Sequence, residues 1–357
     1  MEGEIRNFMT VWFSAFASLS YCYIIDKIIP KKALSIRLFA ILPTICLLLI
    51  LPLNLHSIII SGFTIFFLVS LTNLKLLLLA FDKGPLSSHS VPPLNFIRFI
   101  AVACFPIKIR QNVSTKNNNG YSASRFLLLL AVVVPIYVYK ENLHQNVLLS
   151  LYCIYVYVIL DLYLDMVRHL VQFLIGVELE PQFNKPHLST SLQDFWGRRW
   201  NVMVSDILRW AAYNPVRSIS SRLIGEKLAK YPAILATFFL SGLMHELQFY
   251  YYGREKPRWD VTCFFLLHGL CVDVEIALKS NFNAKGGRRR SWWLQPLPRL
   301  VAAPLVVVFT VVTASWLFIP GLLRNGVDVK VRNELIAFKE FVEEYCKPLY
   351  LCFSNKS

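Results

Sequence analysis

Apolar runs of about 20 residues alternate with polar connections along this chain, and runs of that length cross a bilayer as helices. Eight are legible, at about residues 10–26, 34–53, 58–81, 126–139, 147–171, 232–252, 261–278 and 300–321. The pattern predicts an all-α, polytopic transmembrane protein of about eight spans, with residues 1–357 forming one integral-membrane domain. The fourth run is short, so a tilted or partly re-entrant element is expected there. The long connection 172–231 is not simple linker. Its stretch Leu192 to Ile219 is rich in Trp and apolar residues and predicts interfacial or re-entrant helices. Irregular backbone at that depth needs protein or water around it.

Composition agrees with the pattern. Hydrophobic residues make up 55% of the chain and charged residues 17%, whereas soluble domains carry roughly 25% charged residues. Mean hydropathy is +0.49. The first run follows Glu2, Glu4 and Arg6 and shows no clean small-x-small cleavage site, so it reads as a span that stays. The net charge of +15 does not point to nucleic acid, because the cations lie between hydrophobic runs. Alternating the connections puts 23 Lys and Arg on one side and 11 on the other, which assigns loops 27–33, 82–125, 172–231 and 279–299 to the cytosol. Arg288-Arg289-Arg290 reads as a topology anchor, and Asn112-Val113-Ser114 as a sequon on the wrong side for use. Lys116 to Ser124 reads as a mobile loop. The eight cysteines contain no CxxC pair, so neither a zinc site nor a disulfide framework is expected. Lys75, near the end of its run, is expected to snorkel.

Candidate chemistry centres on Leu235 to Tyr252, LATFFLSGLMHELQFYYY, where His245 and Glu246 sit at a depth that is costly for ionisable groups. A neutral imidazole can take a proton from an alcohol near neutral pH, since its ordinary pKa is about 6.5. A core histidine bonded to a backbone carbonyl is the alternative. Glu246 lies about 100° round the helix from His245, so it would pair with a basic group or orient a neighbouring helix. Phe249 stands where a zinc-binding HExxH would need its second His.

Upstream lies Asp194-Phe195-Trp196-Gly197-Arg198-Arg199-Trp200-Asn201. If helical, Asp194 and Asn201 share one face, and Trp196 and Trp200 share another. The Trp pair suits an interface or an acyl-chain wall. Asn201 can position a substrate or stabilise a developing oxyanion without bringing a charge. Arg198 and Arg199 match phosphate oxygens, or anchor topology. His268, with Glu275 seven residues on, is the rival intramembrane His. Asp161, Asp165, Arg168 and His169 form a polar stripe that a proton-coupled transporter would use; an internal Asp165–Arg168 or Asp165–His169 pair is the plainer reading.

The 194–201 and 235–252 stretches resemble the membrane-bound O-acyltransferase superfamily. Asn73 to Leu78, Gly84 to Ser87 and His268-Gly269 extend the resemblance over most of the chain, toward the plant wax synthase branch. The sterol and diacylglycerol acyltransferase form of the motif is FYxDWWN. Here Gly197-Arg198-Arg199 separates the two Trp residues, which favours the wax synthase branch.

The resemblance implies a multi-pass membrane enzyme of the endoplasmic reticulum that transfers a fatty acyl group from acyl-CoA to a long-chain fatty alcohol, forming a wax ester. It puts His245 in the role of general base and Asn201 in a positioning role. Trp196, Arg198, Arg199 and Trp200 become substrate-binding candidates; Asp194, Glu246 and His268 become secondary ones. No metal or cofactor is implied beyond acyl-CoA as co-substrate, and the oligomeric state is open. A sterol or diacylglycerol acceptor, a transporter and a lipid-binding pseudoenzyme are the alternatives. One tension is built in: Asn201 lies in a cytosolic connection, while His245 sits about 13 residues, or roughly 20 Å, into its span.

Overall fold

A computed structural model describes residues 2–88, 94–110, 119–284 and 298–354. The sequon at 112–114, Arg288 to Arg290 and residues 116–118 of the expected mobile loop lie outside the described residues; the rest of that loop, 119–124, is instead the first part of a helix.

In chain order the helices are α1 (Glu2–Ile28), α2 (Leu34–Ile50), α3 (Ile58–Ile65), α4 (Asn73–Ala80), α5 (Phe96–Cys104), α6 (Asn119–Tyr139) and α7 (Gln145–Ile175). After the 176–191 connection come the short α8 (Leu192–Asp194), α9 (Val202–Leu208) and α10 (Asn214–Ile224). Then follow α11 (Lys230–Gly253), α12 (Asp260–Ala284), α13 (Arg299–Thr313), α14 (Ile319–Arg324) and α15 (Val327–Ser354). Wider π turns join α3 to α4 (Phe66–Thr72), α8 toward α9 (Phe195–Arg199), α9 to α10 (Arg209–Tyr213) and α13 to α14 (Ala314–Phe318). The protein is thus a polytopic helical membrane protein.

Six helical stretches are long and apolar enough to span: Gly3–Ile28, Leu34–Asn54, Ile58–Ala80, Gln145–Ile175, Asp260–Ser280 and Arg299–Arg324. The other two expected spans are helices as well. Ser124–Tyr139 is a shorter apolar helix, and α11 carries too many polar groups to join the six.

Several helix ends are matched by buried charges. The Ile58–Ala80 stretch is the most buried, and two cations inside the protein serve helix C-termini near it. Arg37 donates to the carbonyls of Leu79 (2.7 Å) and Ala80 (3.3 Å) while paired with Asp26 at 2.7 Å. Lys75 does not snorkel: it is fully buried and donates to the carbonyls of Val102 and Phe105, each at 2.7 Å, at the end of α5. A cation there opposes the negative end of the helix dipole. At the other pole, the Glu334 carboxylate on α15 accepts from Ser57 Oγ (2.7 Å) and from the Ile58 and Ile59 amides (2.7 and 2.9 Å), capping α3. One turn earlier, Lys330 donates to the Tyr252 carbonyl (2.6 Å) at the end of α11. The 161–169 stripe is also satisfied internally. Arg125 on α6 meets Asp161 (3.2 Å) and Asp165 (2.9 Å), and Arg168 meets Asp165 at 2.6 Å.

α11 and α12 pack closely at two glycines, and Gly242 meets backbone where no side chain fits. A Cβ on Gly242 would lie 2.8 Å from the Thr262 Cα, and one on Gly269 would lie 3.1 Å from the Phe238 side chain. This pair holds both intramembrane histidines.

Candidate active site

His245 projects from α11 between Phe265 (ring centroids 4.7 Å) and Phe318 (5.5 Å). Its Nδ1 lies 2.8 Å from the Ser241 carbonyl, one turn back. A carbonyl only accepts, so Nδ1 carries the hydrogen. In the neutral ring the lone pair is then on Nε2, which makes no hydrogen bond to any described residue. The carbonyl contact expected of a core histidine is present, and here it orients the ring with a basic nitrogen left over.

Next to it, Glu246 is buried and accepts from the Thr262 amide (3.2 Å) in the first turn of α12. It therefore ties α11 to the neighbouring helix and does not meet a basic side chain there.

His268 is fully buried, and both its nitrogens are engaged. The Trp196 indole N–H, a donor only, lies 3.1 Å from Nδ1. Nε2 therefore carries the hydrogen and donates to Thr313 Oγ1 at 2.9 Å, while that hydroxyl donates to the Phe309 carbonyl at 2.8 Å. The chain of bonds runs from the Trp196 indole through His268 into α13.

The 194–201 segment is not one helix. Phe195–Arg199 forms a π turn closed by the Trp200 amide on the Phe195 carbonyl (2.8 Å), Trp200 is extended, and Asn201 is left-handed at φ 38°. Asparagine is among the few side chains that accept that conformation. Asp194 and Asn201 consequently do not share a helical face as the spacing suggested. Asn201 is buried and starts α9, its Oδ1 accepting from the Val204 amide at 3.5 Å. That leaves the two hydrogens of its amide nitrogen without a partner among the described residues. Asp194 and Arg199 pair at 2.6 Å, and Arg199 also reaches the Asn184 carbonyl at 3.3 Å. Trp200 stacks on Phe195 (5.3 Å) and meets Phe183 and Tyr157 edge-on or tilted (5.0 and 5.6 Å).

Trp196 bears on the depth tension. Its ring lies among Phe238 of α11 (5.7 Å) and Phe264 and Phe265 of α12 (6.3 and 5.9 Å), so the segment enters the helical bundle. Phe265 touches both Trp196 and His245. Glu275, two turns along α12 from His268, accepts from the Leu192 and Gln193 amides (2.9 and 3.3 Å). α12 thus holds the segment at two points. α9 packs against α11, yet no hydrogen bond joins Asn201 to His245 among the described residues.

Beside the segment opens a cavity of about 800 Å³, lined by His187, Arg198, Arg199, Lys279 and Arg299 among others, with Ala303, Pro304 and Val307 on its apolar wall. Arg199 and Lys279 have acidic partners, whereas Arg198 and Arg299 pair with no described residue. Partial burial and the nearby Lys185 and Arg199 charges hold the His187 imidazole below its usual range. The cavity is therefore electropositive. Sequence reading found Arg198 and Arg199 but missed His187, Lys279 and Arg299, which come from three separate parts of the chain. It also missed Phe265, Phe318 and Thr313, since apolar rings and a lone Thr in a span carry no distinguishing pattern.

A half-buried imidazole with a free nitrogen, an uncharged amide donor, aromatic walls and a cationic cavity beside the Trp-rich segment make up the candidate site of a helical membrane protein. Residues 179–267 match the Membrane bound O-acyl transferase family model. The chain is 42% identical over 347 residues to "Probable long-chain-alcohol O-fatty-acyltransferase 9" of Arabidopsis thaliana, covering 96% of this chain and 98% of that one. It is 39% identical over 345 residues to "Long-chain-alcohol O-fatty-acyltransferase" of Simmondsia chinensis, covering 94% of each. The chain belongs to the membrane-bound O-acyltransferase family, in its long-chain-alcohol O-fatty-acyltransferase branch.

Proposed function

We propose that the whole chain works as one domain that transfers a fatty acyl group from acyl-CoA to a long-chain alcohol, in the endoplasmic reticulum membrane. His245 Nε2 takes the hydroxyl proton as the alcohol oxygen attacks the thioester carbonyl. The carbon–sulfur bond breaks, the ester forms, and CoA leaves as a thiol after receiving the proton. The Asn201 amide positions the carbonyl and donates to the oxygen that gains charge. Donors fixed in place before the reaction are most effective where water is excluded. Trp196 and Trp200 wall the acyl chain, and Arg198 and Arg299 face the CoA phosphates from the cationic cavity, with the Asp194-paired Arg199 beside them.

The observation that carries this reading is the His245 tautomer: Nδ1 is committed to Ser241 and Nε2 is left basic in an aromatic pocket. A transporter reading loses support, because the acids of the 161–169 stripe are paired with Arg125 and Arg168.

The test supplies labelled acyl-CoA with fatty alcohols, a sterol and diacylglycerol to microsomes lacking other neutral-lipid acyltransferases. Wild type is expected to form ester fastest with a fatty alcohol, and His245→Ala to form it at least about 10²-fold more slowly. Ester formation at near wild-type rate by a correctly inserted His245→Ala removes His245 as the base. A sterol or diacylglycerol preference replaces the acceptor and keeps the mechanism.

A further inference from the structure

α10 is the one helix of eight or more residues, among those whose side chains are described, with no buried residue, although it sits next to the helix that carries His245. Its sequence NPVRSISSRLI repeats apolar residues at helical spacing. Val216, Ile219 and Leu223 fall within about 60° of one another around the axis. Ile219 and Leu223 are 61% and 78% exposed, and Leu228 beyond the helix is 54% exposed. Arg217 and Arg222 flank this stripe and both are exposed. Over residues 209–230 there are five cations, Arg209, Arg217, Arg222, Lys227 and Lys230, against the single acid Glu226. Glu226 approaches Arg217 at 3.5 Å, and Arg222 and Lys227 have no acidic partner among the described residues.

An apolar stripe bordered by cations, exposed at Ile219 and Leu223 and on the side to which the charge bias assigns the cytosol, matches a layer that is apolar below and anionic above. We propose that α10 lies in the cytosolic membrane interface and binds anionic glycerophospholipid headgroups, with Ile219 and Leu223 in the acyl layer and Arg217, Arg222 and Lys227 on the phosphates. Helices of this composition bind through buried apolar area together with attraction to anionic lipid. The short turn from Gly225 (φ 83°) to Ala229 leads straight into α11. Seating α10 on the membrane therefore fixes where the helix carrying His245 begins. The proposal stands independently of the acyl acceptor and of the roles of His245 and Asn201.

The test equilibrates purified full-length protein with phosphatidylserine and phosphatidylcholine in mixed micelles and reads the retained lipids by native mass spectrometry. Wild type is expected to retain phosphatidylserine preferentially, and the preference to shrink as chloride is raised. Replacing Arg217, Arg222 and Lys227 by Gln is expected to lower it about fivefold per cation removed. Arg217→Lys with Arg222→Lys is expected to keep the preference, which separates lost charge from lost folding. Equal retention of the two lipids by wild type overturns the proposal, and so does an unchanged preference in the triple Gln variant. Loss of the preference in inorganic phosphate at matched ionic strength points to a free-anion site and overturns it too. No turnover is measured, so the result does not depend on the catalytic reading.

Discussion

His245 and His268 occupy adjacent, tightly packed helices, both lie among aromatic rings, and each has a hydrogen bond at Nδ1. They differ in the partner. His245 Nδ1 donates to a carbonyl, which leaves Nε2 as a base with no described partner. His268 Nδ1 accepts from an indole, which forces the hydrogen to Nε2, where Thr313 receives it. One ring keeps a lone pair for chemistry and the other has none to spare. The identity of a single neighbouring atom, donor or acceptor, thus separates a candidate base from a structural bridge.

Substitution at the two positions should break this comparison most sharply. His245→Ala is expected to lower kcat by roughly 10²–10⁴-fold, the range of a general base, with little change in thermal stability. His268→Leu leaves the Trp196 N–H unpaired in the core and is expected to cost about 1–3 kcal/mol of stability, read as a lower Tm, with His268→Gln recovering part of it. If His268→Leu abolished turnover at unchanged stability, the contrast would be wrong.

Asn201 gives the next largest effect and needs a careful choice of replacement. Glycine accepts φ 38° freely and replaces an N-cap residue at a cost of only a few tenths of a kcal/mol. Asn201→Gly therefore deletes the amide while sparing the backbone. Ester formation is expected to fall by about 10²–10³-fold, as for loss of an oxyanion donor. Near wild-type activity would make Asn201 a helix cap and nothing more.

The cationic cavity sharpens the comparison from the substrate side. Arg299→Gln is expected to raise KM for acyl-CoA by about tenfold, the size of one lost hydrogen bond between charged groups, and to leave kcat unchanged. The smallest effect is expected for Arg199→Gln, since Arg199 already has Asp194 and the Asn184 carbonyl as partners. Its main consequence should be a modest loss of stability, followed by thermal unfolding. A larger KM effect from Arg199 than from Arg299 would reverse the assignment of free and structural cations.

The sequence by itself determined that this is a helical membrane protein and where most of its long apolar helices run, and it singled out two histidines and a Trp-rich segment as candidates, while α5 and α15 lay outside the expected runs. Those properties follow from run length, hydropathy and spacing, which act locally along the chain. The i, i+7 relation of His268 and Glu275 was legible in the same way, and both residues do hold the 192–196 stretch. Other features depend on partners far apart in sequence. Lys75 looks like a snorkelling cation until α5 presents its carbonyls to it. The break at Trp200 and Asn201 follows a π closure and anchoring to the 182–185 stretch, so spacing along an assumed helix misplaced those side chains. The tautomers of the two histidines, and the meeting of His187, Lys279 and Arg299 with Arg198 around one cavity, were decided by tertiary structure alone. A hydrogen-bond partner and a neighbouring charge are set by which segments meet in space, and no local pattern encodes that.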